Sequence, residues 1–122
     1  MAKRILVVDD NPAIRGALRR ILEFNDGWYV CGEAVDGRDG VEKAKQLRPD
    51  LVVLDLSMPV MNGLEASRLL HQTMPGLPVI LCSLHSDELL QKEAAAAGVT
   101  AVVSKAHNME TLILKARELL AS

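Results

Sequence analysis

Five short apolar runs alternate strictly along this chain with five longer stretches whose apolar residues recur three and four positions apart. The short runs are RILVV (4–8), WYVCGEA (28–34), DLVVLD (50–55), LPVILC (77–82) and TAVVS (100–104). Their length and branched aliphatic content are those of strands. The longer stretches carry Ile14, Leu18, Ile21 and Leu22, then Val41, Ala44 and Leu47, then Leu64, Leu69 and Leu70. The fourth takes Leu89, Leu90 and the alanines 94–97, and the fifth Leu112, Ile113, Ala116, Leu119 and Leu120. Local punctuation agrees with five helices. Asn11 before Pro12 is an N-cap followed by proline at the first helical position. Asp36 opens the second helix, Gly98 closes the fourth and Asn108 caps the fifth, while RPD (48–50) and MPGLP (74–78) are helix-to-strand turns. Strict β–α alternation predicts an α/β fold, a parallel sheet with helices on both faces. No repeat or linker divides the 122 residues, so they are read as one domain, 1–122.

Composition narrows the function. Phe24, Trp28 and Tyr29 are the only aromatics, so the core is aliphatic. A net charge of -2 removes the electrostatic case for direct nucleic-acid or anionic-membrane binding. No apolar run approaches the roughly 20 residues that span a bilayer, and the start MAKRILVV is too short in apolar residues for a signal peptide. A cytoplasmic protein is expected. Cys31 and Cys82 lack C-x-x-C or zinc-site spacing and read as small core residues.

In open parallel sheets the functional crevice lies beyond the carboxyl ends of the strands. Those ends carry Asp9 and Asp10, then Asp55, Ser83 and Lys105. Singly, such residues are helix caps, loop hydroxyls and solvated lysines. At one sheet edge they form a constellation. Three neighbouring carboxylates cannot all ionise at neutral pH without a cation, because like charges raise one another's pKa. Mg2+, which takes few carboxylates and keeps several waters, suits such a set. One carboxylate is then a nucleophile toward a phosphoryl group, giving an aspartyl phosphate. The metal and Lys105 neutralise the phosphoryl oxygens, and Ser83 donates a hydrogen bond to the third.

With VVDDNP (7–12), DLVVLDLSMPVMNG (50–63), the hydroxyl ending VILCS (79–83) and the lysine ending AGVTAVVSK (97–105), the chain resembles the receiver domains of bacterial two-component response regulators. The resemblance covers nearly the whole chain, and DLSMPVMNG (55–63) is its most specific part. It implies a flavodoxin-like (βα)5 three-layer sandwich with a five-stranded parallel sheet in the order 2-1-3-4-5. It also implies roles. Asp55 is the phosphoacceptor, Asp10 a direct Mg2+ ligand and Asp9 an acid acting through metal-bound water. The backbone carbonyl of Ser57 completes the protein's share of the metal shell. Ser83 is the switch hydroxyl and Lys105 the counter-cation. The donor is a phosphohistidine on a sensor histidine kinase, and the module catalyses only its own phosphorylation and dephosphorylation. The signal passes to an output domain outside this chain, of DNA-binding type. Dimerisation is expected through the fourth helix, fifth strand and fifth helix, on a face carrying Glu110, Lys115 and Arg117. The implied strand order separates Cys31 from Cys82 by three strand spacings, about 14 Å, whereas a disulfide needs Cα atoms within about 7 Å.

Three positions, Val102, Leu84 and Ala106, depart from the family pattern, and a fourth, His85, bears on the same site. Val102 stands where a switch Tyr or Phe is usual, which removes the swinging ring. Leu84 follows the switch hydroxyl where a small residue is usual and is expected to narrow access for small phosphodonors and water. His85 occupies a position that tunes hydrolysis, or is a solvated residue at a helix start. Ala106 replaces the proline after Lys105, so a trans link is expected, since a non-proline cis bond costs about 2.5–4 kcal/mol. His71 and His107 read as surface residues. Two other functions compete: a receiver-like docking module that is not phosphorylated, and an aspartyl-phosphate hydrolase. The hydrolase needs an acid two residues after the nucleophile, where this chain has Ser57. A flavodoxin-like cofactor role lacks a Gly-rich or Ser/Thr-rich phosphate loop after the first strand.

Overall fold

The computed structural model describes residues 2–84, 87–105 and 109–121. Five strands, β1 (Lys3–Val8), β2 (Trp28–Ala34), β3 (Leu51–Asp55), β4 (Val79–Ser83) and β5 (Ala101–Ser104), form one parallel sheet in the order β2-β1-β3-β4-β5. Helices α1 (Pro12–Glu23), α2 (Gly37–Leu47), α3 (Gly63–Thr73), α4 (Glu88–Ala96) and α5 (Glu110–Leu120) alternate with them. The expected α/β architecture and strand order are both observed.

The sheet divides the core by the two-residue period of its strands. One face takes Leu6, Val8, Val52, Leu54, Val79 and Leu81, packed under Val41, Ala44, Leu70 and Ala94 of α2, α3 and α4. The other takes Ile5, Val7, Val53, Ile80, Cys82 and Val103, packed under α1 and α5 through Leu18, Leu22, Leu112 and Ala116. β3 and β4 are buried along their whole length, which is why their sequences are unbroken apolar runs rather than alternations.

Caps set the helix starts. Asn11 Oδ1 accepts from the Ala13 and Ile14 amides, with Pro12 next in the chain, and Asp36 Oδ1 accepts from the Asp39 amide. Gly98 (φ +81°) follows α4 as expected, and an added Cβ there would lie 2.4 Å from the His71 ring. The cap expected at Asn108 lies outside the described residues, as do His85, Ala106 and His107. Three expectations need correction. β4 starts at Val79, not 77, because Pro78 has no amide and the Leu77 amide closes a turn on the Met74 carbonyl (3.0 Å). Leu69, counted with the apolar stripe of α3, is exposed. Cys31 is only half-buried: β1 pairs Ile5 with Val30 and Leu6 with Gly32, so Cys31 is the extra residue of a bulge. Both cysteines are free, and β1 and β3 stand between their strands.

Candidate functional site

The carboxyl ends of β1, β3 and β5 bring three acids and one lysine together. Asp9, Asp10 and Asp55 each offer a carboxylate oxygen to a cluster whose atoms lie within 4.8 Å of one another. Asp9 is 2% exposed and Asp55 is buried, whereas Asp10 faces solvent. Lys105 Nζ stands between the two buried acids, 2.7 Å from Asp55 Oδ1 and 3.1 Å from Asp9 Oδ2. Burial pushes the Asp55 carboxyl above the usual range, and the nearby acids add to that, while Lys105 opposes it without cancelling it. Burial disfavours the Lys105 ammonium, but its hydrogen bonds to Asp55 and Asp9 win and hold its pKa above the usual lysine value.

Asp9 is fixed on every side. Its amide donates to the Ala34 carbonyl (3.1 Å), and its carbonyl accepts from Arg15 Nη1 (2.8 Å). Its Oδ1 accepts from the Asn11 amide (2.9 Å), and its Oδ2 faces Lys105. Sequence reasoning passed over Arg15 and Asn11 in this role. The signal was their spacing: the first turns of α1 bring residues two and six positions after Asp9 back over the strand end.

Ser83 is buried and lies across from Ser104 in the β4–β5 register, and its carbonyl accepts from the Lys105 amide (2.7 Å). It lines, with Asp55, Leu56, Leu64, Leu84 and Leu90, a cavity of about 490 Å3 between α3 and α4. Leu84 is 65% exposed at its wall, so it borders the approach to Asp55 without sealing it. Asp87, whose Oδ1 caps α4 at the Leu90 amide (2.8 Å), lines the same cavity and was missed. Ser57 is exposed and also lines the neighbouring cleft with Asp10, Met58 and Asn62.

The loop after Asp55 turns sharply. The Met61 amide donates to the Pro59 carbonyl (2.7 Å) around Val60, whose φ of +69° is a left-handed conformation costly for a β-branched residue. Gly63 then passes so close to the acceptor strand that an added Cβ would lie 2.3 Å from the Asp55 carbonyl oxygen. Val102, at the position of the usual aromatic, packs on the core with Leu90 and Val99. Glu110 and Arg117, expected on the face shared by α4, β5 and α5, instead line a groove with Ile21 of α1. The fifth helix is rotated so that Leu112, Ala116 and Leu120 face the sheet, which turns residues 110, 113 and 117 toward α1.

The model for the response regulator receiver domain matches residues 5–117. The chain belongs to that family. It is similar to the chemotaxis protein CheY of Thermotoga maritima, with 39% identity over 86% of this chain and 87% of that protein. It is also similar to the response regulator GacA of Pseudomonas aeruginosa, with 30% identity over 97% of this chain and 55% of GacA, so it spans about half of that regulator. Among solved structures, the response regulator domain of Thermotoga maritima CheB superposes with a TM-score of 0.91 at 31% identity, covering 100% of this chain and 98% of that one. A receiver domain is a phosphorylation-dependent signalling module of two-component systems, and the acidic cluster of this one fits the metal-dependent chemistry of that class. No helix among the described residues is long and apolar enough to cross a membrane.

Proposed function

We propose that residues 1–122 act as one receiver that takes a phosphoryl group onto Asp55 from the phosphohistidine of a sensor histidine kinase. The observation that carries this reading is the ammonium of Lys105 held between buried Asp9 and Asp55, with Asp10 at the solvent edge of the same cluster. Three hard oxygen donors, one of them exposed, suit Mg2+, with Asp10 and Asp55 as ligands, Asp9 acting through bound water and the Ser57 carbonyl completing the set. When bound, Mg2+ neutralises charge on the carboxylates and on the transferring phosphoryl oxygens.

The chain's own groups do the rest. Lys105 holds one oxygen of Asp55, so the other attacks phosphorus. The new O–P bond forms as the P–N bond to the donor imidazole breaks, and the imidazole leaves with the bonding pair. Lys105 then serves as counter-cation to the phosphoryl oxygens, and the Ser83 hydroxyl donates to one of them. Ser57 supplies no acid two residues beyond Asp55, which supports self-phosphorylation and self-dephosphorylation rather than turnover of substrates. Leu84, at the wall of the approach, restricts small donors and water. His85, outside the described residues, is assigned a tuning role in hydrolysis. Output passes to a DNA-binding domain absent from these residues, in the cytoplasm, through Ser83 and backbone shifts, because Val102 has no ring to swing.

Intact-mass spectrometry with Mg2+ and a small acyl-phosphate donor tests the reading. One added phosphoryl group is expected, absent without Mg2+ and in Asp55→Asn. In Leu84→Ala both phosphorylation by the small donor and hydrolysis are expected to rise several-fold. If neither the native chain nor Leu84→Ala gains mass, the domain is a docking module and the proposal falls.

A further inference from the structure

Two of the acids assigned to the metal site follow one another in the chain, so a single planar peptide joins them: the Asp9 carbonyl and the Asp10 amide lie in one plane. Whatever holds the Asp9 carbonyl therefore sets where the Asp10 Cα stands. The group that holds it is the Arg15 guanidinium, whose Nη1 donates to that carbonyl at 2.8 Å. Its Nε donates at the same time to Glu33 Oε1 at 3.1 Å, and the Arg15 side chain is only 15% exposed. Glu33 is itself fastened. Its Oε2 accepts from Arg19 at 2.8 Å, and its backbone carbonyl accepts from Lys43 Nζ. The next residue of β2, Ala34, accepts from the Asp9 amide at 3.1 Å. Neighbouring residues of β2 thus hold Asp9 from both ends, Ala34 directly and Glu33 through Arg15.

A planar fork suits this task and a point charge does not. Two N–H groups on different nitrogens, at a fixed angle to each other, reach the carbonyl and the carboxylate together. Asp10 faces solvent, so its placement comes from the peptide rather than from packing of its own side chain. Mg2+ demands near-ideal octahedral geometry, and its affinity falls when the origin of a ligand is free to shift. Arg19 pairs with the same Glu33, and with Glu23 at 3.7 Å, but stands one turn further from Asp9 along α1. We infer that Arg15 is a positioning residue for Mg2+: it fixes the Asp9–Asp10 peptide and so presents both carboxylates to one ion. The inference rests on the reading of these acids as a Mg2+ site, and it separates Arg15 from Arg19, whose bridge to Glu33 only ties α1 to β2.

Titration of the whole chain with Mg2+, followed through the NMR amide signals of Asp10 and Lys105, tests this. Saturable binding of one ion is expected in the native chain. Arg15→Lys keeps the charge but loses the fork, and is expected to weaken Mg2+ binding about tenfold, as when a group that orients a metal ligand is removed. Arg15→Gln is expected to weaken it at least as much, although removal of a positive charge alone would tighten it. Arg19→Gln is expected to stay within about twofold of the native chain. Urea unfolding is expected to show every variant folded without denaturant, so that a change in Kd reports the site. Native affinity in both Arg15 variants, or tighter binding in Arg15→Gln, overturns the inference and leaves the metal site standing. An equal loss in Arg19→Gln also overturns it, because the bridge to Glu33 then acts through the fold. A native chain that binds no Mg2+ overturns the metal reading itself, and the inference with it.

Discussion

Asp9 shows how much a single residue in this fold depends on groups far from it. Its carbonyl is held by Arg15, whose Nε also bonds Glu33 Oε1 at 3.1 Å, while Glu33 Oε2 takes Arg19 at 2.8 Å. Burial raises the Glu33 carboxyl, but the hydrogen bonds and charges of Arg19 and Arg15 outweigh it and hold the pKa below its ordinary 4.5. A folded-state pKa below the unfolded one contributes stability that is fully present above pH 4.5 and is lost as pH falls through the lower, folded value. Glu33→Gln is therefore expected to cost about 0.5–1 kcal/mol at pH 7, the range of partly exposed pairs. The difference should vanish in chemical denaturation below about pH 3. Equal losses at both pH values would mean that the side chain acts through packing instead. The acids at the strand ends were legible because each closes an apolar run. The Arg15–Glu33 pair was not, since it forms only when α1 lies against β2.

At the scale of elements, α4 is the exception. It has nine residues and buries only Ala94, whereas α2 and α3 bury four or more each. Its alanines give it strong helix propensity, but little of the tertiary packing that holds most helices. Its end is fastened instead: the Ser67 hydroxyl donates to the Ala97 carbonyl at 3.0 Å, and the Val99 amide to Ala94 at 2.9 Å. Hydrogen exchange is expected to be about tenfold or more faster in the first turns of α4 than in α1 or α3, by local opening. Equal protection would show that capping by Asp87 and the cavity wall hold the helix as firmly as a buried stripe. The helix itself was readable from Leu89, Leu90 and the alanines. Its weak anchoring was not, because an apolar residue on a helix does not say whether anything covers it: Leu89 is 65% exposed.

The whole molecule closes over Cys82. On β4, between the buried strand β3 and the edge strand β5, its thiol is 6% exposed, and burial pushes its pKa up to about 12. The thiolate is the reactive form, so Cys82 is expected to resist alkylation at pH 8 until the domain unfolds, with labelling that follows the denaturation midpoint. Cys31, half-buried on the bulge, is expected to react first. Labelling of both at one rate in native conditions would mean that β4 opens without global unfolding. The molecule also separates what the chain determines by itself from what folding decides. Alternation of strand and helix patterns, caps at Asn11 and Asp36, and acids closing apolar runs are local properties, and they determined the fold class and the sheet edge at which the acids gather. The bulge at Cys31, the rotation that gives Glu110 and Arg117 to the α1 side, and the seat of Lys105 between Asp9 and Asp55 came only with the tertiary structure. Each depends on the relative placement of segments distant in sequence, which is set by the packing of the whole core rather than by the pattern of any one segment.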